Sequence, residues 1–166
     1  MRRIVVDTEA LTLRYGDVSV ACAIGRTGPC DAARKIEGDG HTPRGTWPIR
    51  AALLRPDRGF APPTWLPWRW LRPEDGWSDA PADPAYNRPV HHPHPHSAER
   101  LWRDDALYDA VLVLGHNDSP PQSGAGSAIF LHLRDGDTTE GCVAIPRATM
   151  HALLADLTAD AVIEIV

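Results

Sequence analysis

The sequence predicts a mainly β domain with one substantial helix and a long loop insertion. Three observations carry that expectation. Short apolar runs recur between turn residues, and each is too brief for a stable helix. Residues 147–157 carry Met150, Leu153, Leu154 and Leu157 at helical spacing, behind a proline suited to a first helical position. Proline and tryptophan concentrate between residues 43 and 102, in a chain holding sixteen prolines and six tryptophans.

Taken in order, residues 3–25 hold three apolar pieces, RIVV, ALTLRY and VSVACAIG. Tyr15-Gly16-Asp17 separates the last two, which predicts a hairpin. Residues 26–45 are turn-rich, because Gly38, Gly40, Pro43 and Gly45 oppose a helix. Residues 47–54, WPIRAALL, are the next strand. Residues 55–109 are irregular and form the insertion, with a short helix expected over residues 97–107 under a Ser97 cap. Its aromatic residues Trp65, Trp68, Trp70, Trp77, Tyr86 and Trp102 are expected to pack on the sheet or line a cleft. Residues 110–114, AVLVL, read as a buried strand. Residues 128–133 give another, followed by a polar loop (134–140) and a second apolar run (142–145). After the helix, AVIEIV closes the chain as a strand.

A length of 166 residues with 43% hydrophobic content fits one domain, residues 1–166, with a real core. The net charge of −5 argues against nucleic acid as a partner. No apolar run reaches the length of a membrane span, and the run Ile4-Val5-Val6 is too short for the core of an export signal. Three cysteines do not make a disulfide framework. Cys22 reads as a small core residue, and Cys30 sits in a turn without an evident partner. The chain is expected to be a monomer.

The chemistry concentrates in residues 127–146, SAIFLHLRDGDTTEGCVAIP. Cys142 stands where a loop re-enters a strand, Gly141 precedes it, and His132 ends the strand before. A free thiol is a poor nucleophile at neutral pH, so an imidazole on an adjacent strand is the group that would activate it. The N–H groups of Gly141 and Cys142 would then hold an oxyanion, and Thr139 would position the loop. Spacing alone leaves equally open a core cysteine beside a strand-end histidine.

The segment IFLH…T-E-G-C-V resembles the signature of the L,D-transpeptidases, the YkuD-type cysteine enzymes. A second family element, T-P-x-G-x-aromatic, is matched by Thr42-Pro43-Arg44-Gly45-Thr46-Trp47, with Lys35 upstream of it. The resemblance implies a mixed β-sandwich, Cys142 as nucleophile, His132 as its base, and acyl transfer between peptidoglycan stem peptides, donor and acceptor, without cofactor or metal. It also implies work in the periplasm or cell envelope. Glu140 stands where the family has a second histidine, and only nine residues separate His132 from Cys142. With the Pro/Trp-rich insertion, these departures resemble a proteobacterial branch that joins L-alanine to diaminopimelate (1,3-type) rather than forming 3,3 links.

Further substrate-binding candidates are Lys35, Thr42, Gly45, Trp77, Tyr86, Asn87, His116 and Arg147. An anionic muropeptide is expected to need local positive charge, from Lys35, Arg44, Arg134 or Arg147. The cluster of His91, His92, His94 and His96 invites a metal, but no cysteine or carboxylate completes a set in the sequence, and adventitious surface binding is the expectation. Two other readings remain: an L,D-carboxypeptidase or endopeptidase of the same fold, and a non-catalytic cell-wall or metal-binding module.

Overall fold

The computed structural model describes residues 3–166. Its strands in chain order are β1 (Arg3–Asp7), β2 (Thr12–Tyr15), β3 (Val18–Ala21), β4 (Ile24–Gly25), β5 (Pro29–Asp31), β6 (Thr42–Leu54), β7 (Trp68–Trp70) and β8 (Asp75–Ser78). They continue as β9 (Pro89–His91), β10 (Ala98–Arg100), β11 (Ala110–Leu114), β12 (Phe130–Leu133), β13 (Thr138–Thr139), β14 (Val143–Ile145) and β15 (Val162–Ile165). The helix α1 (Arg147–Asp156) lies between β14 and β15. The chain is thus mainly β with one α-helix among the described residues, as its apolar periodicity predicts.

The main sheet runs β14-β12-β11-β6-β15-β1-β2-β3, with β5 and β7 added beside β6. Its two ends meet through Ala23, which exchanges two 2.9 Å backbone hydrogen bonds with Ala144 of β14. The sheet is therefore nearly closed, and it mixes parallel pairs (β12 with β14, β1 with β15) with antiparallel ones.

Side-chain alternation sorts the central strands between two cores. Leu54, Leu112, Leu131 and Leu133 face one cluster, closed by Met150, Leu153 and Leu154 of α1. Leu53, Val111, Val113 and Phe130 face the other, closed by Trp77, Leu101 and Tyr108 from the insertion. Burial on both faces explains why AVLVL reads as a continuous apolar run rather than an alternating one. Cys142 belongs to the second cluster. The insertion therefore roofs the face that carries the candidate nucleophile.

Several expectations need correction. The strand placed at residues 47–54 begins at Thr42, because its first half pairs with β5 and β15 despite Pro43 and Gly45. The helix expected over residues 97–107 is absent. Ala98–Arg100 instead form β10, paired with β8, and Leu101 is fully buried. An isolated segment of that length has marginal helicity in water, and here an open strand edge and an apolar pocket outcompete it. The insertion is accordingly not structureless: β10, β8 and β9 make a small sheet of their own. Pro146 caps α1 rather than occupying its first turn. Of the inserted aromatics, Trp77 and Tyr86 are buried and Trp102 packs under Arg55 at 3.7 Å, but Trp65, Trp68 and Trp70 remain exposed.

Candidate active site

β12 and β14 are parallel neighbours, with His132 in register with Ala144. Cys142 lies two residues before Ala144, on the face shared by Phe130 and His132. At a strand spacing of about 4.8 Å and a rise of about 3.3 Å per residue, the two Cα atoms stand roughly 8 Å apart. Both side chains line one cleft of about 470 Å³. The parallel return from β12 to β14 requires a crossover, and the short loop that supplies it is the one ending in Gly141 and Cys142.

The thiol is held by backbone. Cys142 Sγ donates to the carbonyl of Ala128 (3.1 Å) and accepts from the Phe130 N–H (3.4 Å). Ala128 adopts a left-handed conformation (φ 52°), a costly choice for a residue with a Cβ, and this turns its carbonyl toward the sulfur. Gly141 has φ 139°, and a Cβ there would meet the His41 carbonyl at 2.9 Å, so glycine is required. Thr42 Oγ1 accepts from the Gly25 N–H and donates to the Gly141 carbonyl, each at 2.8 Å. Thr139 Oγ1 donates to the Cys142 carbonyl (2.6 Å) and accepts from the Gly141 N–H (3.0 Å). That bond commits the Gly141 N–H, one of the two groups expected to face an oxyanion.

His132 is buried, and its Nδ1 lies 2.8 Å from the Leu133 carbonyl. A carbonyl only accepts, so Nδ1 carries the proton and Nε2 keeps its lone pair. The ring stands edge-on to Tyr108 at 5.2 Å. Burial pushes the imidazole below its ordinary pKa. Burial, reinforced by Glu99, pushes the Cys142 thiol up to about 12. The resting pair is a neutral thiol and a neutral imidazole, not an ion pair.

The remaining candidates divide. Lys35 lines the cleft but is buried and paired with Asp39 at 2.5 Å. Trp77, Tyr86 and Asn87 do not line it. Asn87 is a buried bracket: its Oδ1 accepts from Trp77 Nε1 (2.9 Å) and the Ala128 N–H (3.1 Å), and its Nδ2 donates to the Asn117 carbonyl (2.6 Å). Tyr86 donates to Glu37 (2.5 Å) and accepts from the Gly126 N–H (2.9 Å). These residues hold the wall that carries Ala128, and Trp77 and Asn87 also border a second, smaller cavity of about 190 Å³.

His116 is buried against Trp47 (5.0 Å), outside the cleft, and burial lowers its pKa to about 4. Gly45 pairs with Ile165, and the Trp47 ring fills the space of its missing side chain. Arg147 bonds the buried Asp109 carboxylate and the Arg58 carbonyl (3.1 Å), away from the cleft. Glu140 is exposed on the rim and pairs with Arg26 at 3.0 Å. His94 bonds Asp83 (2.6 Å) and His91 lies 3.7 Å from Asp75. Among the described residues no group of three or more such side chains is disposed to hold a metal ion, and no helix is long and apolar enough to cross a membrane.

Of the expected positive charges only Lys35 reaches the cleft, and it is paired with Asp39. Arg44 bonds Thr8 (3.1 Å), Arg134 pairs with Asp137 (3.0 Å), and Arg147 is engaged elsewhere. Sequence reasoning missed Glu99, Tyr108 and Asp79, all of which line the cleft. Their spacing offers no motif, because β8–β10 pairing and the roofing of the sheet are what bring them to Cys142.

No curated protein matches the sequence. The family model for the L,D-transpeptidase catalytic domain, YkuD, matches residues 1–165, nearly the entire chain, and that family is a cysteine-dependent one acting on peptidoglycan peptides. The loop-to-strand cysteine, the facing histidine and the nearly closed mixed sheet accord with that match, and the chain belongs to the YkuD family of L,D-transpeptidase catalytic domains.

Proposed function

We propose that residues 1–166 form one catalytic domain that cross-links peptidoglycan stem peptides through a thioester on Cys142, with His132 as general base. The observation that supports this most directly is the shared cleft. Cys142 and His132 open onto it from adjacent parallel strands, and the Nδ1 bond to Leu133 leaves Nε2 as the acceptor. The thiol proton passes to Nε2 as Sγ attacks a stem-peptide carbonyl. The C–N bond breaks, and the distal peptide leaves as an amine after taking that proton. The Cys142 N–H is the backbone donor left for the oxyanion. A second stem's amine then attacks the thioester, an amide forms, and the thiol is regenerated.

The thiol's high pKa means that proton transfer accompanies attack instead of preceding it. The cleft wall formed by Asp79, Glu99 and Tyr108 comes from the insertion, the segment that carries the resemblance to the 1,3-linking branch. On that basis the donor is the L-alanine carbonyl and the link is of the 1,3 type. The place of action is the cell envelope, where the substrate lies.

The test is incubation with purified disaccharide peptides. Dimers and a thioester adduct on Cys142 are expected, both lost in Cys142→Ala, and fragmentation of the dimer reads the linkage. Shortened monomers without dimers would favour the hydrolase. An unmodified Cys142 in a folded chain would sink the reading.

A further inference from the structure

The lining of the cleft is unexpectedly acidic. Glu37, Asp79, Glu99, Asp135 and Glu140 border it, against Lys35 and Arg103. The two basic groups are already neutralised, Lys35 by Asp39 (2.5 Å) and Arg103 by Asp105 (2.6 Å). Glu140 is spent on Arg26. Glu37, Asp79 and Glu99 have no salt-bridge partner among the described residues. Glu99 is half-buried, accepts the Tyr108 hydroxyl, and lines the same cleft as Cys142, with the Tyr108 ring reaching on to His132 at 5.2 Å. Burial holds the Glu99 carboxyl above its ordinary pKa, and the charges of Asp79 and Glu37 push it the same way, so an ammonium beside it is what favours its ionised form.

Two further residues that line the cleft carry unpaired polar atoms. The buried Oδ1 of Asp79 has no hydrogen-bond partner. Ser127, only 8% exposed, also lines the cleft, and its Oγ, although beside the Tyr86 hydroxyl, has no partner at bonding geometry. Buried polar atoms without partners are costly, and a donor-rich cation entering the cleft would satisfy both.

We propose that Glu99, backed by Asp79 and Glu37, is the specificity-determining residue that receives the ammonium group of the acyl acceptor. The assignment rests on the transfer reading above. The carboxylate binds the ammonium beside Cys142 and takes one of its protons. The freed amine attacks the thioester carbonyl, so that a C–N bond forms and the C–S bond breaks. The second proton passes through His132 to the departing sulfur, and Glu99 returns its own to solvent. Tyr108 serves as a positioning residue, holding Glu99 through its hydroxyl and meeting His132 with its ring.

The test compares the wild type with Glu99→Gln and Glu99→Asp. Glutamine keeps an oxygen for the Tyr108 hydroxyl but loses the charge. Dimer yield is measured against concentration of a disaccharide-tripeptide acceptor, and intact-protein mass reads the thioester. In Glu99→Gln the acceptor KM rises at least tenfold, and the ratio of dimer to hydrolysed monomer falls by a similar factor while the thioester is still seen. Glu99→Asp recovers part of both. A folded Glu99→Gln with wild-type acceptor KM and ratio overturns the assignment and leaves the transfer reading standing. Loss of the thioester in a folded Glu99→Gln moves the residue to the donor step and also overturns it. A wild type that forms no thioester, or only hydrolysed monomer, overturns the transfer reading and this assignment together.

Discussion

The side chain of Asn87 accepts a hydrogen bond from the Ala128 N–H at 3.1 Å, linking the inserted segment to the residue whose carbonyl holds the Cys142 thiol. Asn87 itself sits at φ 54°, a conformation that asparagine tolerates better than most residues. The insertion thus fixes the surroundings of the Cys142 thiol from behind as well as roofing the cleft.

Asn87→Ala strands two buried N–H donors, those of Trp77 and Ala128, and loses the donation to Asn117. A loss of roughly 3 kcal/mol in unfolding free energy is expected, since each buried group left unpaired costs about 1–3 kcal/mol. Urea denaturation measures it. A variant as stable as the wild type would show that the bracket contributes nothing.

Gly141→Ala places a Cβ 2.9 Å from the His41 carbonyl at a φ of 139°. The loop must move, and Cys142 moves with it. A displacement of about 1 Å at a reacting atom is expected to slow thioester formation by around a hundredfold. The comparison is single-turnover acylation by intact mass, with circular dichroism confirming the fold. Wild-type acylation in the variant would mean that the loop yields without disturbing the thiol.

The neutral resting pair predicts how Cys142 alkylation depends on pH. With the thiol raised to about 12, the thiolate fraction grows roughly tenfold per pH unit below that value. Iodoacetamide labelling of Cys142 should therefore rise steadily from pH 6 to 9. A thiolate–imidazolium pair would instead give a plateau in that interval, and observing one contradicts the neutral pair.

His116 makes folding stability pH-dependent. Its pKa is about 4 in the folded chain against an ordinary 6.5. Between those values the unfolded chain binds the extra proton and the folded chain does not, so stability falls as pH drops from 6.5 toward 4. The loss between pH 7 and pH 5 is about 2 kcal/mol from this residue. His116→Gln is expected to be less stable at pH 7 but to remove that part of the slope. Denaturation midpoints at the two pH values decide it; an unchanged slope would clear His116 of the effect.

Much of the fold is legible in the sequence because each strand carries its own signal. AVLVL and IFLHL are apolar on both sides, Tyr15-Gly16-Asp17 marks its turn, and Met150, Leu153 and Leu154 give α1 one buried side. Prolines misled at the start of β6, where pairing on both edges extends a segment that local chemistry reads as a turn. The segment 97–107 misled for the opposite reason: its helical signal is real but weak, and the edge of β8 captured it.

By itself the sequence determined the strands around residues 3–21, 47–54, 110–114, 130–133, 143–145 and 162–165, the helix α1, and the expectation that Cys142 and His132 act as a pair, because these depend on residue type and short-range spacing. Only the tertiary structure decided what surrounds the pair. Asn87, Asp79, Glu99 and Tyr108 reach the surroundings of Cys142 across more than thirty residues, and Ala128 across fourteen, through strand pairing and through burial of Trp77 and Leu101 on the opposite face from α1. Such contacts leave no local pattern, since closing the sheet and roofing it are properties of the whole packed chain. The charge of the cleft was decided in the same way: Lys35 reaches it already paired with Asp39, Arg44, Arg134 and Arg147 are engaged elsewhere, and the acids that border it come from the insertion and the loops around it.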